Sequence, residues 1–158
     1  QLHKDLTRFQ NYCDKRDIKP CVRLNGTSDI RWEAILINGK SIFDHFPAIQ
    51  FYDYTKIANR KVDHISNYDL TFSYSEANPA YAKQVNIALE RGLNIAVVFR
   101  KKESIPKTFL NLPTIDGDKN DMRFLDPKQT VVALYAKGKA RKDTSGFVID
   151  TQALELIA

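Results

Sequence analysis

Apolar positions recur along the chain with two spacings, one typical of helices and one typical of strands. Helical intervals of three and four residues appear first near the amino terminus, at Leu2, Leu6, Phe9 and Cys13. A second helix is expected after Asn78, which can cap it, and Pro79, which needs no N–H at the first helical position. Gly92 marks the expected end of this helix.

Short apolar runs predict the strands, and several of them are separated by about a dozen residues or more. In chain order the runs are "CVRLN", "AIQFYDY", "YDLTFSYS", "LNIAVVFR", "PTIDGD" and "TVVALYAKG". "LNIAVVFR" is apolar on both faces, as an interior strand of a parallel sheet is. Strands that alternate with crossovers indicate an α/β fold. We therefore predict a mainly parallel sheet of five to six strands with crossover helices, open or curved into a partial barrel.

The length and composition are those of one globular domain. The chain has 158 residues, of which 43% are hydrophobic and 27% charged. It shows no repeat, low-complexity segment or Gly/Ser-rich linker, so a single α/β domain is expected over residues 1–158. Because the sequence starts at Gln1, directly in a helical pattern, the C-terminal part of a longer protein is an open alternative.

The net charge and the cysteine content indicate the kind of partner and the cellular compartment. The net charge of +5 favours anionic partners mildly. No run approaches the roughly 18 apolar residues of a membrane span, and no signal peptide is visible. Cys13 and Cys21 form no CxxC pair and are expected to be reduced thiols. These features predict a cytoplasmic protein without a membrane partner, and they do not indicate an oligomeric state.

Each predicted strand begins with apolar residues and ends with polar ones; the fourth, for example, ends in Arg100, Lys101 and Lys102. In parallel α/β sheets the carboxyl ends of the strands share one rim, where ligands bind. The polar strand ends therefore predict a ligand site built from Asn25, Ser28, Asp29, Asp53, Lys56, Ser73, Ser75, Glu76, Lys137, Lys139 and Arg141. The alternative is that strand ends are polar only because they lead into exposed loops.

The stretch "KGKARKDTSG" indicates the charge of the ligand. It places four cations in six residues, with a glycine near each end, and backbone N–H groups and Lys or Arg side chains bind phosphate oxygens. The phosphate-binding patterns GxxxxGK[ST] and GxGxxG are absent. We expect a phosphorylated ligand, either a small molecule such as a nucleotide or a nucleic acid, and a solvated basic loop is the alternative.

The stretch "DGDKNDMRFLDP" contains the candidate metal ligands. Asp116 and Asp118 could hold Mg²⁺ together with substrate phosphates, although the Glu of a calcium-binding EF-hand loop is missing. The favoured alternative is Asp-Gly turn chemistry with an Asp paired to Arg123. No other cofactor is indicated. No catalytic residue is identified either, because the chain lacks a GxSxG elbow, so whether it is an enzyme is open.

Six stretches of the chain are long and specific: "RLNGTSDIRWE", "FYDYTK", "LTFSYSE", "NIAVVF", "IDGDKNDMRFLDP" and "AKGKARKDTSGFV". In this order, from about Cys21 to Val148, they resemble the gene product 88-like family of phage and plasmid proteins. The resemblance implies a partial β/α barrel, with radical-SAM-like relatives that carry an upstream cysteine segment. No CxxxCxxC cluster occurs in this chain, so the iron–sulfur chemistry of such relatives is not expected here.

Three functions follow as hypotheses. The favoured one is a phage-type protein that binds a phosphorylated ligand, a nucleotide or a nucleic acid, at the carboxyl ends of the strands, with or without a reaction. The second is a non-catalytic nucleic-acid binding module. The third is a protein–protein interaction module that acts on a host factor. The resemblance implies the phage context and hence the host cell cytoplasm, and it implies no particular activity.

Overall fold

The computed structural model describes residues 1–151 and shows an α/β protein with a mixed, mostly parallel sheet of eight strands. The helices are α1 (Leu2–Asp14), α2 (Ile42–His45) and α3 (Ala80–Glu90). The strands are β1 (Cys21–Arg23), β2 (Gln50–Thr55), β3 (Tyr68–Ser73), β4 (Asn94–Phe99), β5 (Thr108–Phe109), β6 (Leu112–Asp116), β7 (Val131–Tyr135) and β8 (Val148–Ile149). Within the described residues the sheet is not closed, since its hydrogen-bonded path has β1 and β5 as its ends.

The expected count of five to six strands was too low. β5 and β8 have two residues each, which is too short for an alternating pattern to reveal. The expected crossover helices are present as α2, between β1 and β2, and α3, between β3 and β4, whereas the connection from β2 to β3 is not helical. Residues 56–67 contain turns but no helix, because Asn59, Asp63, Ser66 and Asn67 favour turns. No helix among residues 1–151 combines the length and the apolar character that a bilayer crossing needs.

Contacts divide the chain into two compact units. The first comprises Gln1–Asp53 and Arg60–Asp69, and the second comprises Tyr54–Asn59 and the residues from Leu70 onward. The single-domain organisation stays a prediction.

In the first unit, β1 pairs in parallel with β2, and Cys21 is the register partner of Gln50. A 3₁₀ turn at Trp32–Ala34 and the short helix α2 connect these strands. A capping box begins α2: the Ser41 hydroxyl accepts from the Asp44 N–H, and the Asp44 carboxylate accepts from the Ser41 N–H. The predicted first helix is confirmed as α1.

In the described part of the second unit the strand order is β3-β4-β7-β6-β5, with β8 beside β4, and β5 and β6 pair antiparallel. β7 pairs with β4 along its whole length, from Val131 opposite Ile95 to Tyr135 opposite Phe99. The turn between β5 and β6 has two consecutive residues with positive φ, Leu110 at 53° and Asn111 at 60°. Such angles suit a tight two-residue hairpin turn, although Leu is an unusual residue for them.

The predicted second helix is confirmed as α3, which connects β3 to β4. Asn78 Oδ1 accepts from the Ala80 N–H at 2.9 Å, and Gly92 ends the helix with a φ of +67°. Val85 and Ala88 on α3 are buried in the core of this unit. Phe72 of β3, Ile149 of β8, Ala58 and the interior of β4 and β7 form the rest of that core.

The edge of β4 that faces β3 is shared between two strands. β3 pairs with the first half of β4, from Asn94 to Ala96, whereas β8 pairs with its last residues, Val98 and Phe99. β7 occupies the opposite edge of β4, so β8 must enter on the side that β3 leaves. β3 and β4 therefore part at their carboxyl ends, and β8 fills the space between them.

Candidate functional site

A cavity of about 470 Å³ lies at the carboxyl ends of β4 and β7, and we call it the basic cavity. Its lining consists of residues that end or follow those strands and one residue of the segment between β7 and β8: Arg100, Lys101, Lys102, Glu103, Tyr135, Ala136 and Arg141. Four of these side chains are cations and one is a carboxylate. The cavity therefore offers its ligand a positive lining at the place where parallel α/β sheets bind ligands.

Arg100 holds the segment that carries Arg141. Its guanidinium donates to the carbonyl oxygen of Arg141 at 3.0 Å and to that of Asp143 at 2.7 Å. Its Nε lies 3.7 Å from a carboxylate oxygen of Asp150. Arg100 thus acts partly as a positioning residue, and its charge stays beside the cavity.

The Asp143 carboxylate orders the turn that follows. It accepts from the Ser145 hydroxyl at 2.8 Å and from the Val148 N–H at 3.1 Å. The bond from Ser145 and then that from Val148 lower the pKa of Asp143 from its ordinary 3.8. A lowered carboxyl pKa contributes stability that is present above about pH 4 and is lost as the pH falls through the folded-state pKa. At neutral pH the charged Asp143 carboxylate therefore keeps the hydrogen bonds that hold the turn.

The three cations predicted on this segment have different surroundings. Arg141 lines the basic cavity, whereas Lys139 is exposed and is not among the lining residues. Lys137 Nζ lies 2.5 Å from the Asp118 carboxylate. Lys137 therefore contacts the turn after β6, and of the three only Arg141 belongs to the cavity.

Four other predicted residues lie at two places in the second unit. Lys56 Nζ lies 3.3 Å from the Ser73 carbonyl oxygen and 3.5 Å from the Ser73 hydroxyl. Ser75 and Glu76 line a second cavity, of about 270 Å³, between β3 and α3. The polar residues at the end of β3 thus do come together, although they do not line the basic cavity.

In the first unit, the predicted residues Asn25, Ser28 and Asp53 bind one another. The fully buried Asp53 carboxylate accepts from the Asn25 N–H at 2.7 Å and from the Asn25 amide at 3.2 Å. Asn25 Oδ1 in turn accepts from the Ser28 hydroxyl at 2.9 Å and from the Trp32 indole at 3.1 Å. Burial raises the pKa of Asp53, although hydrogen bonds from the Asn25 N–H and the Tyr68 hydroxyl, together with nearby Arg60 and Arg23, oppose the rise. This cluster folds the loop after β1 onto β2.

A fully buried arginine, Arg60, completes this cluster, and no sequence pattern singled it out. The Arg60 guanidinium binds both carboxylate oxygens of Glu33, at 2.9 and 2.5 Å, and lies 3.2 Å from the predicted site residue Asp29. It also donates to the Tyr68 hydroxyl, which donates to Asp53 at 3.0 Å. The predicted residues of the first unit therefore belong to an internal network. Arg60 lies in the stretch "NRK", which looks like an ordinary surface stretch in the sequence.

The candidate metal ligands make the contacts of a turn. Asp116 Oδ1 accepts from the Asp118 N–H at 3.0 Å, and Asp118 accepts from the Tyr135 N–H and pairs with Lys137. Buried Arg123 binds the Gly117 carbonyl oxygen and pairs with Asp126 at 3.3 Å. Residues 1–151 contain no group of three or more His, Cys, Asp or Glu side chains placed to hold a metal. The turn alternative fits these contacts, and the magnesium site stays a prediction.

A protein-family model matches nearly the whole chain. The family model described as gene product 88 matches residues 1–151. No curated protein and no solved structure matches the chain. The match extends beyond the interval over which the sequence resembles that family, and it gives no support to a relation with radical-SAM proteins.

Proposed function

The chain belongs to the gene product 88 family, and we propose that it binds a phosphorylated ligand in the basic cavity. The observation that carries this proposal is the lining itself, with four cations against one carboxylate at the carboxyl ends of two neighbouring parallel strands. Lys and Arg form strong, charge-assisted hydrogen bonds with phosphate oxygens. Aromatic Tyr135 adds an apolar wall beside these cations.

The volume and charge favour a nucleotide-sized ligand. The cavity of about 470 Å³ lies within the range of small-molecule sites, roughly 300–1,000 Å³. Lys101, Lys102 and Arg141 are exposed, so their ammonium and guanidinium groups can reach a ligand that enters from solvent. Arg100 fixes the backbone that carries Arg141. This segment therefore loses less conformational entropy when a phosphate is bound.

Nucleic-acid binding is the second candidate, and the exposed lysines outside the cavity favour it. Lys139 and Lys142 lie on the same 3₁₀ segment as Arg141 and extend the positive surface beyond the lining. A nucleic acid would contact these lysines through several phosphates, and its affinity would fall steeply with salt. A nucleotide would depend on the cavity cations and much less on Lys139.

Removal of Arg141 tests the proposal. We expect pyrophosphate and ATP to raise the Tm of the protein in a saturable way, as a ligand specific to the folded state does. Arg141→Ala should weaken this binding by roughly 10- to 100-fold, since a hydrogen bond to a charged group contributes about 1.5–3 kcal/mol. The substitution keeps the carbonyl oxygen that Arg100 binds. Isothermal titration calorimetry measures the change in Kd.

Lys139→Ala is the matched control, because Lys139 is a cation of the same segment that does not line the cavity. It should change the Kd of ATP by less than about threefold, as exposed charges in salt contribute little. An equal loss in both variants would show general charge attraction rather than a cavity. If a single-stranded oligonucleotide alone binds, with a steep salt dependence, the second candidate replaces the first. No stabilisation by any of these anions would refute both.

A further inference from the structure

The second cavity, which we call the α3 cavity, differs from the basic cavity in shape and charge. Its volume is about 270 Å³, and its walls come from the end of β3, from α3 and from the β5–β6 turn. Apolar walls are formed by Pro79, Ala82, Val85 and Leu110. The side chains of Glu76 and Asn86 supply polar groups, and Glu76 is the single charged residue of the lining.

Tyr74 and Glu76 form a fixed polar edge. The Tyr74 hydroxyl donates to Glu76 Oε1 at 2.8 Å, and the Tyr74 ring packs edge to face on Phe109 with centroids 5.5 Å apart. The Glu76 N–H donates to the Gly146 carbonyl oxygen at 2.8 Å. Side chain and backbone of Glu76 are thus both anchored, so its carboxylate has a defined direction for a ligand.

Another part of the lining holds a residue in an unfavourable backbone conformation. Leu110 lines the cavity with a φ of +53°, in the left-handed region that bulky residues rarely adopt. Such a conformation costs on the order of 1–3 kcal/mol and clusters at ligand sites. It places an apolar side chain at the cavity where Gly or Asn would suit the turn better.

These features favour a different ligand from the phosphorylated one proposed for the basic cavity. A carboxylate only accepts hydrogen bonds, so Glu76 favours a ligand that donates them. The apolar walls suit a flat ring, and a cavity of about 270 Å³ is below the usual size for a complete drug-like ligand. Asn86 can both donate to and accept from the edge of such a ring.

We propose that the α3 cavity is a second binding site, for a flat heterocyclic ring that carries an amino group, the chemistry of adenine and cytosine. The amino group donates to the Glu76 carboxylate, and the ring lies against Val85 and Leu110. This site needs no phosphate and therefore does not depend on the basic cavity. A ring in which a carbonyl oxygen replaces the amino group, as in hypoxanthine or uracil, places an acceptor against the carboxylate beside its remaining ring N–H and binds less favourably.

Phosphate-free nucleosides test the proposal. Adenosine and cytidine should bind with a Kd of about 10 µM to 1 mM, which is typical of ligands with about 20 heavy atoms. Inosine and uridine should bind at least about fivefold more weakly, because a carbonyl oxygen that repels the carboxylate stands where the amino group would donate. Chemical-shift titration by NMR measures both. Because these probes carry no phosphate, a failure here leaves the pyrophosphate result untouched, and the reverse is also true.

Two alanines of α3 provide a matched pair of variants. Ala82 and Ala80 are both exposed on the helix, and of the two only Ala82 lines the cavity. Ala82→Trp should fill the cavity and abolish nucleoside binding, whereas Ala80→Trp should leave the Kd within about twofold. Glu76→Gln should weaken adenosine at least about fivefold and reduce its preference over inosine. Equal binding of all four nucleosides, no binding, or binding that survives in Ala82→Trp would overturn the proposal.

Discussion

Replacement of Arg60 by methionine is expected to lower the free energy of unfolding by about 3–5 kcal/mol. The Arg60 guanidinium is fully buried and binds Glu33 through two hydrogen bonds, with Asp29 3.2 Å away. Methionine has a similar length and no charge, so the substitution leaves these carboxylates without their cation. The Tyr68 hydroxyl also loses the guanidinium as its neighbour, although it keeps Asp53 as an acceptor.

Urea denaturation measures this loss, and Arg16→Met provides the control. Arg16 is exposed, with its guanidinium 3.8 Å above the Tyr12 ring, and such a contact contributes only about 0.5–1 kcal/mol. The double variant Arg60→Met with Glu33→Met should be less destabilised than the sum of the single variants, because it removes both charges of the pair. A loss below about 1 kcal/mol for Arg60→Met would mean that the network does not hold the loop after β1.

This network marks a limit of sequence-based prediction. The polar strand ends placed four residues in one predicted ligand site, and the structure does bring them together: Asn25, Ser28, Asp29 and Asp53. The pattern could not show that they bind one another, because side-chain direction depends on the loop that surrounds them. Arg60 was not predicted, since a buried guanidinium needs carboxylates that are distant in sequence to compensate its desolvation.

Residues 137–142 show the same limit of sequence-based prediction. Its four cations looked equivalent in "KGKARK", yet the 3₁₀ turn places only Arg141 in the cavity lining, and Lys137 contacts Asp118. Arg100, Lys101 and Lys102 were recognised as polar residues at the end of a strand and were left out of the predicted site. Their contribution depends on the neighbour of β4, which is β7, and strand order is not a local property of the sequence.

The elements that were predicted well have strong local signals. α3 has a cap at Asn78, an apolar stripe and a terminal glycine, and β4 is a continuous apolar run. β8 has no such signal, since two residues cannot show alternation. β8 pairs with the end of β4 because β3 pairs only with the first half of that strand and leaves the rest of its edge open. This open edge arises from the tertiary fold and has no local sequence signal.

Replacement of Gly146 by valine is expected to lower the free energy of unfolding by about 2–4 kcal/mol and to abolish nucleoside binding in the α3 cavity. Gly146 has a φ of +91°, which side chains rarely adopt. A Cβ at this position would lie 3.0 Å from the backbone nitrogen of Ala77 and 3.0 Å from the carbonyl carbon of Glu76. Both are backbone atoms and cannot rotate away, so the hydrogen bond from the Glu76 N–H to Gly146 should be lost.

Gly26→Val is the matched control for this substitution, because a Cβ on Gly26 would meet no atom within 4 Å and its φ is not in the left-handed region. Its unfolding free energy should change by less than about 0.5 kcal/mol. Gly146→Ala should fall between the two, since it has the same backbone strain and a smaller side chain. Pyrophosphate binding should survive in Gly146→Ala, because Arg100 holds the backbone at Arg141 and Asp143 independently of Gly146. Parallel loss of pyrophosphate and adenosine binding would instead mean that Gly146 supports the whole segment between β7 and β8, and the two cavities would then form one cooperative site.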